Sequence, residues 1–206
     1  MMNDSKNRVV QIPGKDIEQV VDIFCDAFFE YPVMKYVLGD TTDYDSKYRK
    51  LIHFFVLNRV LRNEYMFGVF EQEDLKAVAT VSIPFKSVDV PEIELAKKQI
   101  WQELGEEARG RYEQFGTICS QFDVAEPHIH LNMIGVKKEA QGLGLGKLLL
   151  NHVHQFSKEL EESRGVTLST EVSKNVAFYQ RFGYEIIGQA EVGNTFTTWN
   201  FYRPNS

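Results

Sequence analysis

The chain has 206 residues, of which 43% are hydrophobic and 25% are charged, and its formal net charge is −6. A chain of this length and composition is typical of one globular domain with its own core, so we expect residues 1–206 to form a single domain. The acidic balance argues against a general nucleic-acid-binding protein and is compatible with a cationic substrate.

We expect the protein to be soluble and cytoplasmic, without a membrane partner. No apolar run approaches the roughly 20 residues that span a bilayer, and the polar start of the chain lacks the apolar core of a signal peptide. Cys25 and Cys119 are too few for a disulfide framework and have no metal-ligand spacing. Both are therefore expected to be reduced thiols, and no metal is expected. The oligomeric state, monomer or homodimer, is left open.

Hydrophobic periodicity predicts the elements of the first half in chain order. The predicted elements are a strand over 9–12, helices over 16–29, 34–38 and 44–61, and a hairpin of strands 65–70 and 75–83 with Glu73-Asp74 as its turn. The aromatic segment 28–31 is expected in the core, with a substrate-pocket wall as the alternative. Residues 86–127 are expected to shape substrate access, with a helix over 91–112 and a turn-rich stretch over 110–126.

The second half predicts strands that alternate with helices. Residues 128–136 alternate strictly, with His128, His130 and Asn132 on one face and Ile129, Leu131 and Met133 on the other. A helix is predicted up to Ser163, then a strand over 166–171, a helix over 175–182 capped by Ser173, and a final strand pair over 184–187 and 195–201. This order predicts a mixed α/β sheet.

The stretch Gln141–Lys147 lies between the strand 128–136 and the long helix that follows. Three glycines near a helix start cost about 1 kcal/mol each relative to alanine, unless backbone amides must approach something closely. Because a helix N-terminus has free N–H groups and a partial positive charge, its natural partner is an anion such as a pyrophosphate. The alternative is a flexible turn.

The spacing of these glycines excludes two common nucleotide motifs. A P-loop would need glycine at Gln141 and serine or threonine at Leu148. The dinucleotide fingerprint would need glycine at Lys147. What remains is Gln-x-x-Gly-x-Gly, from Gln141 through Gly144 to Gly146.

This pattern resembles the signature Arg/Gln-x-x-Gly-x-Gly/Ala of the GNAT acyltransferases, which use acetyl-CoA. Further motifs narrow the resemblance, over about residues 128–203, to the puromycin N-acetyltransferase-like branch. These motifs are His128–Leu131, Val136, Asn175, Phe178-Tyr179, Gly183-Tyr184, Trp199 and Arg203. The resemblance implies the GNAT fold, an α/β (α+β) architecture with a mixed, mostly antiparallel sheet. The sheet would be splayed between the strands at 128–136 and 166–171, with helices on both faces.

The resemblance also implies roles for individual residues. Backbone groups around Ile134 and Val136 would pair with the pantetheine arm of acetyl-CoA, amides from Gly142 to Lys147 would hold the pyrophosphate, and Asn175 would bond the pantetheine. Tyr179 would donate a proton to the leaving thiolate. The expected cofactor-binding residues are Ile134, Gly135, Val136, Gln141, Gly142, Leu143, Gly144, Leu145, Gly146, Lys147, Asn175 and Tyr179.

The acceptor amine must also lose a proton. His130 is the first candidate for the general base, because it lies on the polar face of the strand and histidine titrates near neutral pH. His128 and Glu171 are reserves, and the attack could also proceed without a dedicated base.

These features predict an acetyl-CoA-dependent N-acetyltransferase that acts on a primary amine, most plausibly of a small molecule. A protein N-terminus or lysine is the alternative acceptor, and a non-catalytic CoA-binding sensor of the same fold is the alternative function. A regulatory protein whose glycine loop is only a turn is a third interpretation. No cysteine is expected near the motifs, so a covalent acyl-enzyme is disfavoured.

Overall fold

The computed structural model describes residues 8–205, so the sequence prediction for the first seven residues lies outside the described range. Within that range the chain forms seven strands and seven α-helices. The strands are β1 (Val9–Gln11), β2 (Tyr65–Glu71), β3 (Asp74–Ser82), β4 (Ile129–Val136), β5 (Gly165–Thr170), β6 (Glu185–Val192) and β7 (Phe196–Pro204). The helices are α1 (Ile17–Phe28), α2 (Pro32–Leu38), α3 (Tyr44–Leu61), α4 (Pro91–Leu104), α5 (Glu106–Cys119), α6 (Leu145–Glu159) and α7 (Ser173–Arg181). None of these helices is long and apolar enough to cross a membrane.

The strands form one sheet in the order β1-β2-β3-β4-β5-β7-β6. Neighbouring strands are antiparallel except for β4 and β5, which run parallel. A parallel pair needs a crossover connection, and α6 supplies it. The predicted fold class, a mixed and mostly antiparallel sheet with helices, is therefore confirmed.

The parallel strands β4 and β5 pair over only a short length. The register joins residues 129–131 of β4 to residues 166–168 of β5. Beyond Leu131 the strand β4 continues to Val136 and pairs with β3 alone, while β5 continues to Thr170 and pairs with β7. The sheet is thus splayed at the predicted place, and the gap leaves one side of each strand without a strand partner.

A β-bulge interrupts the alternation of β4. Thr80 of β3 is opposite Met133, whereas Val81 is opposite Leu131, so Asn132 is an extra residue without a partner in β3. The extra residue reverses the phase of the side chains that follow. Met133 therefore packs on the opposite side of the sheet from Ile129 and Leu131, and the prediction that these three share a face is wrong.

Apolar helices cover both faces of the sheet and create two separate cores. On one face, α1 buries Val20 and Phe24 completely, at helical spacing. On the other face, α6 does the same with Leu149 and Val153. Gly135 of β4 lies under α1, where a Cβ atom would approach the Phe24 ring to 3.0 Å. This helix therefore packs closely on the strand that borders the gap.

The segment between β3 and β4 is more helical than predicted. Instead of one helix over 91–112 and turns over 110–126, the chain forms α4 and α5, which are separated by Gly105 at φ +96°. Gly110 and Gly116 lie inside α5. Each glycine weakens a helix by only about 1 kcal/mol, so the packing of Ala108, Tyr112 and Phe115 against the core outweighs that cost.

Three smaller predictions also need correction. Ser173 is the first residue of α7 and makes no capping hydrogen bond with its side chain, because the N-cap position is Val172. The β2–β3 turn consists of Gln72 and Glu73, since Glu71 and Asp74 already pair with each other. The helix α6 ends at Glu159, a full turn before Ser163.

We predict that Gly165→Ala destabilises the fold by about 1–3 kcal/mol, because its Cβ would lie 2.5 Å from the backbone oxygen of Arg203. The matched control is Gly110→Ala, whose Cβ meets nothing within 4 Å inside α5 and should stabilise the chain by up to about 1 kcal/mol. The midpoint of urea unfolding measures both changes. Equal midpoints for the two variants would contradict the close approach of β5 to β7.

Candidate functional site

A cavity of about 1220 Å³ opens where β4 and β5 part. Strands β3, β4, β5 and β7 form its floor, and helices α1, α3, α5 and α7 contribute its walls. Phe28 and Tyr31 line the cavity and also pack on the core, so both interpretations of the aromatic segment hold. Tyr112 and Phe115 of α5 line it too, which agrees with a role of this segment in substrate access.

Glu171 follows directly after β5 and lies in the cavity wall with 7% of its surface exposed. Its Oε1 accepts a hydrogen bond of 2.7 Å from the Thr198 hydroxyl, and its backbone N–H donates to the Tyr31 hydroxyl at 3.1 Å. Burial raises the pKa of Glu171 to about 6, although hydrogen bonds to the carboxylate act in the opposite direction. The side chain is therefore mostly ionised at pH 7 and is a stronger base than an ordinary glutamate.

A hydrogen-bonded cluster around Thr170 joins α7 to the turn between α1 and α2. The Thr170 hydroxyl oxygen accepts a hydrogen bond of 3.2 Å from Nδ2 of Asn175 and lies 3.2 Å from the Tyr31 hydroxyl. The backbone N–H of Val172 donates to the same oxygen at 3.4 Å. Since one N–H of Nδ2 is engaged, Asn175 can offer its Oδ1 atom and the second N–H of Nδ2 to a ligand.

Tyr179 lies one helical turn after Asn175 and lines the same cavity. Its ring packs against Tyr184 and Phe201, with centroid distances of 5.8 Å to both. Burial, and then the negative charge of Glu171, raise the pKa of Tyr179 to about 12. The phenol is therefore a proton donor throughout the neutral range.

His130 lies on the cavity floor, where its Nδ1 is 2.9 Å from the Thr167 hydroxyl oxygen. Burial, and then the positive charge of Arg59, lower the pKa of His130 to about 4. A histidine with so low a pKa is neutral at pH 7 and is a weak base. His128 also lines the cavity, and its Nδ1 is engaged with the backbone oxygen of Glu126 at 2.7 Å.

Cys119, at the end of α5, lines the cavity as well, so the prediction that no cysteine lies near the motifs is wrong. Its Sγ is 3.9 Å from the Thr198 hydroxyl that bonds Glu171. Cys119 and Thr198 are far apart in the sequence, and they come close together because α5 folds back against the β6–β7 hairpin. Burial, and then the charge of Glu171, raise the pKa of Cys119 to about 11, so the thiol stays protonated and is a poor nucleophile.

The glycine loop lies outside the cavity lining, at the start of α6. Gly142 and Gly144 both have φ +80°, and a Cβ atom at either position would meet nothing within 4 Å. Gln141 closes the loop onto β4 by donating from Nε2 to the backbone oxygen of Val136 at 3.3 Å. Lys147 is exposed, and the first turn of α6 contains no acidic residue.

The loop fits an anionic group such as a pyrophosphate. The first N–H with an intrahelical partner belongs to Leu148, which donates to the Gly144 oxygen at 3.0 Å. Within residues 8–205, the N–H groups of 142–147 donate to no other protein group across a turn or loop. Unpaired donors, open space and the helix dipole together favour an anion at this position.

Side chains that the sequence did not single out complete the site. Arg59 donates from Nη1 to Oδ1 of Asn132 at 3.2 Å, and Thr198 holds Glu171. The pair Asn58-Arg59 interrupts an otherwise apolar stretch of α3, which is a signal that could have been used. The sequence around Thr198 has no comparable signal, because Thr198 reaches Glu171 only through the pairing of β7 with β5.

The parted sheet and the loop at the start of α6 define the class as an acyltransferase fold of the GNAT type. Residues 97–186 match the family model described as "Acetyltransferase (GNAT) domain". The recognition of this family from the sequence is confirmed, whereas the puromycin-like branch stays a prediction.

Two curated proteins are similar over different shares of the chain. A "Probable serine/threonine-protein kinase" of Dictyostelium discoideum is 29% identical in an alignment of 196 positions that covers 85% of this chain and 20% of that protein. The 5-NmdU N-acetyltransferase of Pseudomonas phage PaMx11 is 35% identical over 75 residues, which are 36% of this chain and 52% of that protein. The matched region thus spans a fifth to about half of the length of these relatives.

Solved structures share the fold at low sequence identity. One structure, described as "histone acetyltransferase HPA2 and related acetyltransferase" from Corynebacterium glutamicum, has a TM-score of 0.68 at 16% sequence identity. The match covers 98% of this chain and 97% of that chain. A polyamine N-acetyltransferase of Drosophila melanogaster, which forms N-acetylagmatine, has a TM-score of 0.62 at 16% identity, with 97% and 100% covered. These likenesses confirm the fold.

We predict that Glu171 titrates near pH 6 and that Thr198→Val raises its pKa further, because the lost hydrogen bond stabilises the ionised carboxylate. Carboxyl ¹³C shifts of labelled glutamate, followed against pH, measure both values. Thr195→Val is the matched control, since the Thr195 hydroxyl donates to the Val192 backbone in the β6–β7 turn. A midpoint near pH 4 in the unmodified chain would contradict the buried position of Glu171.

Proposed function

We propose that the chain is an acetyl-CoA-dependent N-acetyltransferase that acetylates a primary amine of a small molecule in the cytoplasm. The observation that carries the proposal is the arrangement at the gap. A base, Glu171, and a protonated phenol, Tyr179, line one cavity beside the unpaired edge of β4. The donor-rich loop follows directly after that strand. The cytoplasmic setting is supported by Cys25 and Cys119, which are both free thiols.

Three parts of the chain would hold acetyl-CoA. The backbone of 134–136 has no strand partner on the side of the gap, and an extended pantetheine arm could pair there as an added strand does. The amides of 142–147 would bind the pyrophosphate, with the charge of Lys147 nearby. Asn175 would bind the arm through its side-chain amide, in which Oδ1 and one N–H of Nδ2 are free beside the bond to Thr170.

When bound, acetyl-CoA supplies an acetyl thioester at the gap. In the proposed reaction a C–N bond to the acceptor forms as the C–S bond breaks, directly and within a ternary complex. Tyr179 would give its proton to the departing sulfur, and its pKa of about 12 keeps the phenol protonated at neutral pH. The thiol of Cys119 is protonated and has no part in the transfer.

Glu171 is the better candidate for the base, ahead of His130. The pKa of Glu171 is about 6 and that of His130 about 4, so Glu171 binds a proton more strongly while still ionised at pH 7. The carboxylate of Glu171 also attracts the ammonium form of the acceptor, whereas the positive charge of Arg59 near His130 would repel it. The proton from the acceptor amine would therefore pass to Glu171.

Two of the similar proteins support a small-molecule acceptor. The phage relative is named for N-acetylation of 5-NmdU, and the Drosophila structure is that of an enzyme that forms N-acetylagmatine. A protein N-terminus or lysine is the other acceptor class, and a small-amine panel with a peptide added would separate the two classes.

The central test combines calorimetry with acetyl-CoA and release of the CoA thiol across that panel. We predict binding of acetyl-CoA, thiol release with at least one small amine, and a fall of about 10²-fold or more in kcat for Tyr179→Phe at nearly unchanged affinity. Phe178→Leu on the same helix is the matched control. No binding at millimolar acetyl-CoA would refute the proposal, and binding without thiol release would indicate a sensor.

A second test addresses the base. For the unmodified chain we expect kcat to rise with pH through about 6, because the carboxylate of Glu171 must be ionised to accept the proton. Glu171→Gln should lower kcat by about 10²-fold or more and remove this rise, while His130→Gln should keep it. Tyr31, Tyr179 and Cys119 stay protonated near pH 6 and do not contribute to the rise. Loss of the rise in His130→Gln alone would identify His130 as the base.

A further inference from the structure

We infer that the acceptor carries a carboxylate at the end away from its reacting amine, and that Arg59 selects it. The inference rests on the proposed N-acetyltransferase function and names the substrate class for the same cavity. It depends on three features, which are a half-buried guanidinium in the α3 wall, unpartnered polar atoms in the cavity lining, and carboxylates on the β5–β7 side.

The guanidinium of Arg59 faces the cavity on the β3–β4 side of the gap. Its Nη1 lies 2.5 Å from Oε2 of Glu64 and donates to Oδ1 of Asn132, whose Nδ2 donates to the Ser82 hydroxyl at 3.2 Å. Arg59 lines the cavity and Glu64 does not, so the ion pair presents its positive end to the cavity. A guanidinium has five donors, and within the described chain only Nη1 is engaged, which leaves a fork suited to a carboxylate.

Unpartnered polar atoms surround the floor of the cavity. Oδ1 of Asn58, Oγ1 of Thr80 and Nδ2 of Asn200 are buried and have no hydrogen-bond partner among the described residues. Their residues are at most 8% exposed, and all three line the cavity. A buried polar atom without a partner costs about 1–3 kcal/mol, so such a group of atoms indicates a polar ligand. A purely aliphatic acceptor would leave that cost in place.

The opposite end of the cavity is acidic. Glu171 lies on the β5–β7 side of the gap, where it bonds Thr198 of β7, and it is the buried carboxylate of the cavity lining. The exposed carboxylates of Asp123 and Glu30 line the cavity too, and Glu30 is paired with Lys35 at 3.2 Å. Glu30 precedes Tyr31, which bonds Glu171. Lys174 also lines the cavity but is exposed on the first turn of α7.

These charges favour a zwitterion with its ammonium near Glu171 and its carboxylate at Arg59. A diamine would instead place its second ammonium beside the guanidinium, where like charges repel each other. The acceptor predicted for this chain thus differs from the agmatine of the Drosophila neighbour, which has no carboxylate. Amino acids with a free amine are the simplest molecules of the predicted class.

The test uses the full chain with three matched series of probes, which are α- and ω-amino acids of three to six carbons, their primary amides, and diamines of the same lengths. Calorimetry in the presence of CoA measures binding, and thiol release measures kcat/KM. We expect the best amino acid to exceed its amide by at least about tenfold and its diamine by more, as a charge-assisted hydrogen bond would give.

The variant Arg59→Gln/Glu64→Gln removes both partners of the ion pair and avoids a buried, unpaired charge. It should abolish the preference for the carboxylate, mainly through KM. Arg59→Lys is the second variant, which retains the charge but loses the fork and should reduce the preference. Arg62→Gln is the matched control, because Arg62 bonds the Ser87 hydroxyl and the Val88 backbone outside the cavity lining and should leave the preference unchanged.

The outcomes separate this inference from the proposed function. Thiol release at equal rates from all three series, or a preference for diamines, would overturn the inference and leave the function intact. A chain that fails to turn over any amine would refute the function, and calorimetry would then decide the inference. Tighter binding of the amino acids that depends on Arg59 would support the inference. Equal binding of the three series, or no binding of any of them, would overturn the inference.

Discussion

The short pairing of β4 with β5 is the constraint on which the rest of the site depends. Two parallel strands that share only three residue pairs leave an unpaired backbone edge inside the sheet, where β4 continues to Val136. Backbone polar groups without partners are costly away from water, so this edge needs either solvent or an extended ligand. The cavity, the loop after β4 and the end of β5 all lie around that edge, which is why the proposed base and the proposed proton donor come from different elements and line one cavity. The bulge at Asn132 also shapes the site. Polar residues of β4 face the cavity, and because the bulge shifts the register, Ile134 and Val136 still pack in the core under α6.

The reactive end of the cavity is held by side chains that are distant in sequence. Tyr31 lies between α1 and α2 and contacts Thr170 and the backbone of Glu171, while Thr198 reaches the carboxylate from β7. These bonds oppose the effect of burial on the pKa of Glu171, so the group stays ionised at pH 7 although it is buried. Without the hydroxyl of Thr198 the same burial would move the carboxyl toward its neutral form, which cannot accept a proton. The turn between α1 and α2 therefore helps to hold the proposed base, even though the recognisable motifs all lie after residue 127.

Much of the fold could be predicted from the sequence, because periodic burial has a strong local signal. The two helices that cover the sheet, the β2–β3 hairpin and the glycine loop all follow from the spacing of apolar residues and from the cost of glycine. The larger failures, in α5 and in β4, have one physical cause, which is that long-range packing outweighed the local sequence pattern. Gly110 and Gly116 stay helical because α5 packs on the core, and Met133 changes face because β3 sets the register of β4. The presence of Arg59, Cys119 and Thr198 at the cavity depends on how α3, α5 and β7 meet, and the pKa of His130 depends on burial beside Arg59.

The separation of charge across the gap links the proposed acceptor to the proposed base. Arg59 lowers the pKa of His130 and lies on the side of β3 and β4, whereas Glu171 has no cation among the groups that shift its pKa. A proton taken from an ammonium moves toward the more basic and more negative group, so the same field that would orient a zwitterionic acceptor would also direct its proton to Glu171. If the ends were exchanged, the acceptor carboxylate would lie against Glu171 and its amine against a guanidinium, and both contacts would be repulsive. The proposed substrate orientation and the proposed proton transfer would thus have a single electrostatic origin, which is the placement of Arg59 and Glu171 on opposite sides of the parted strands.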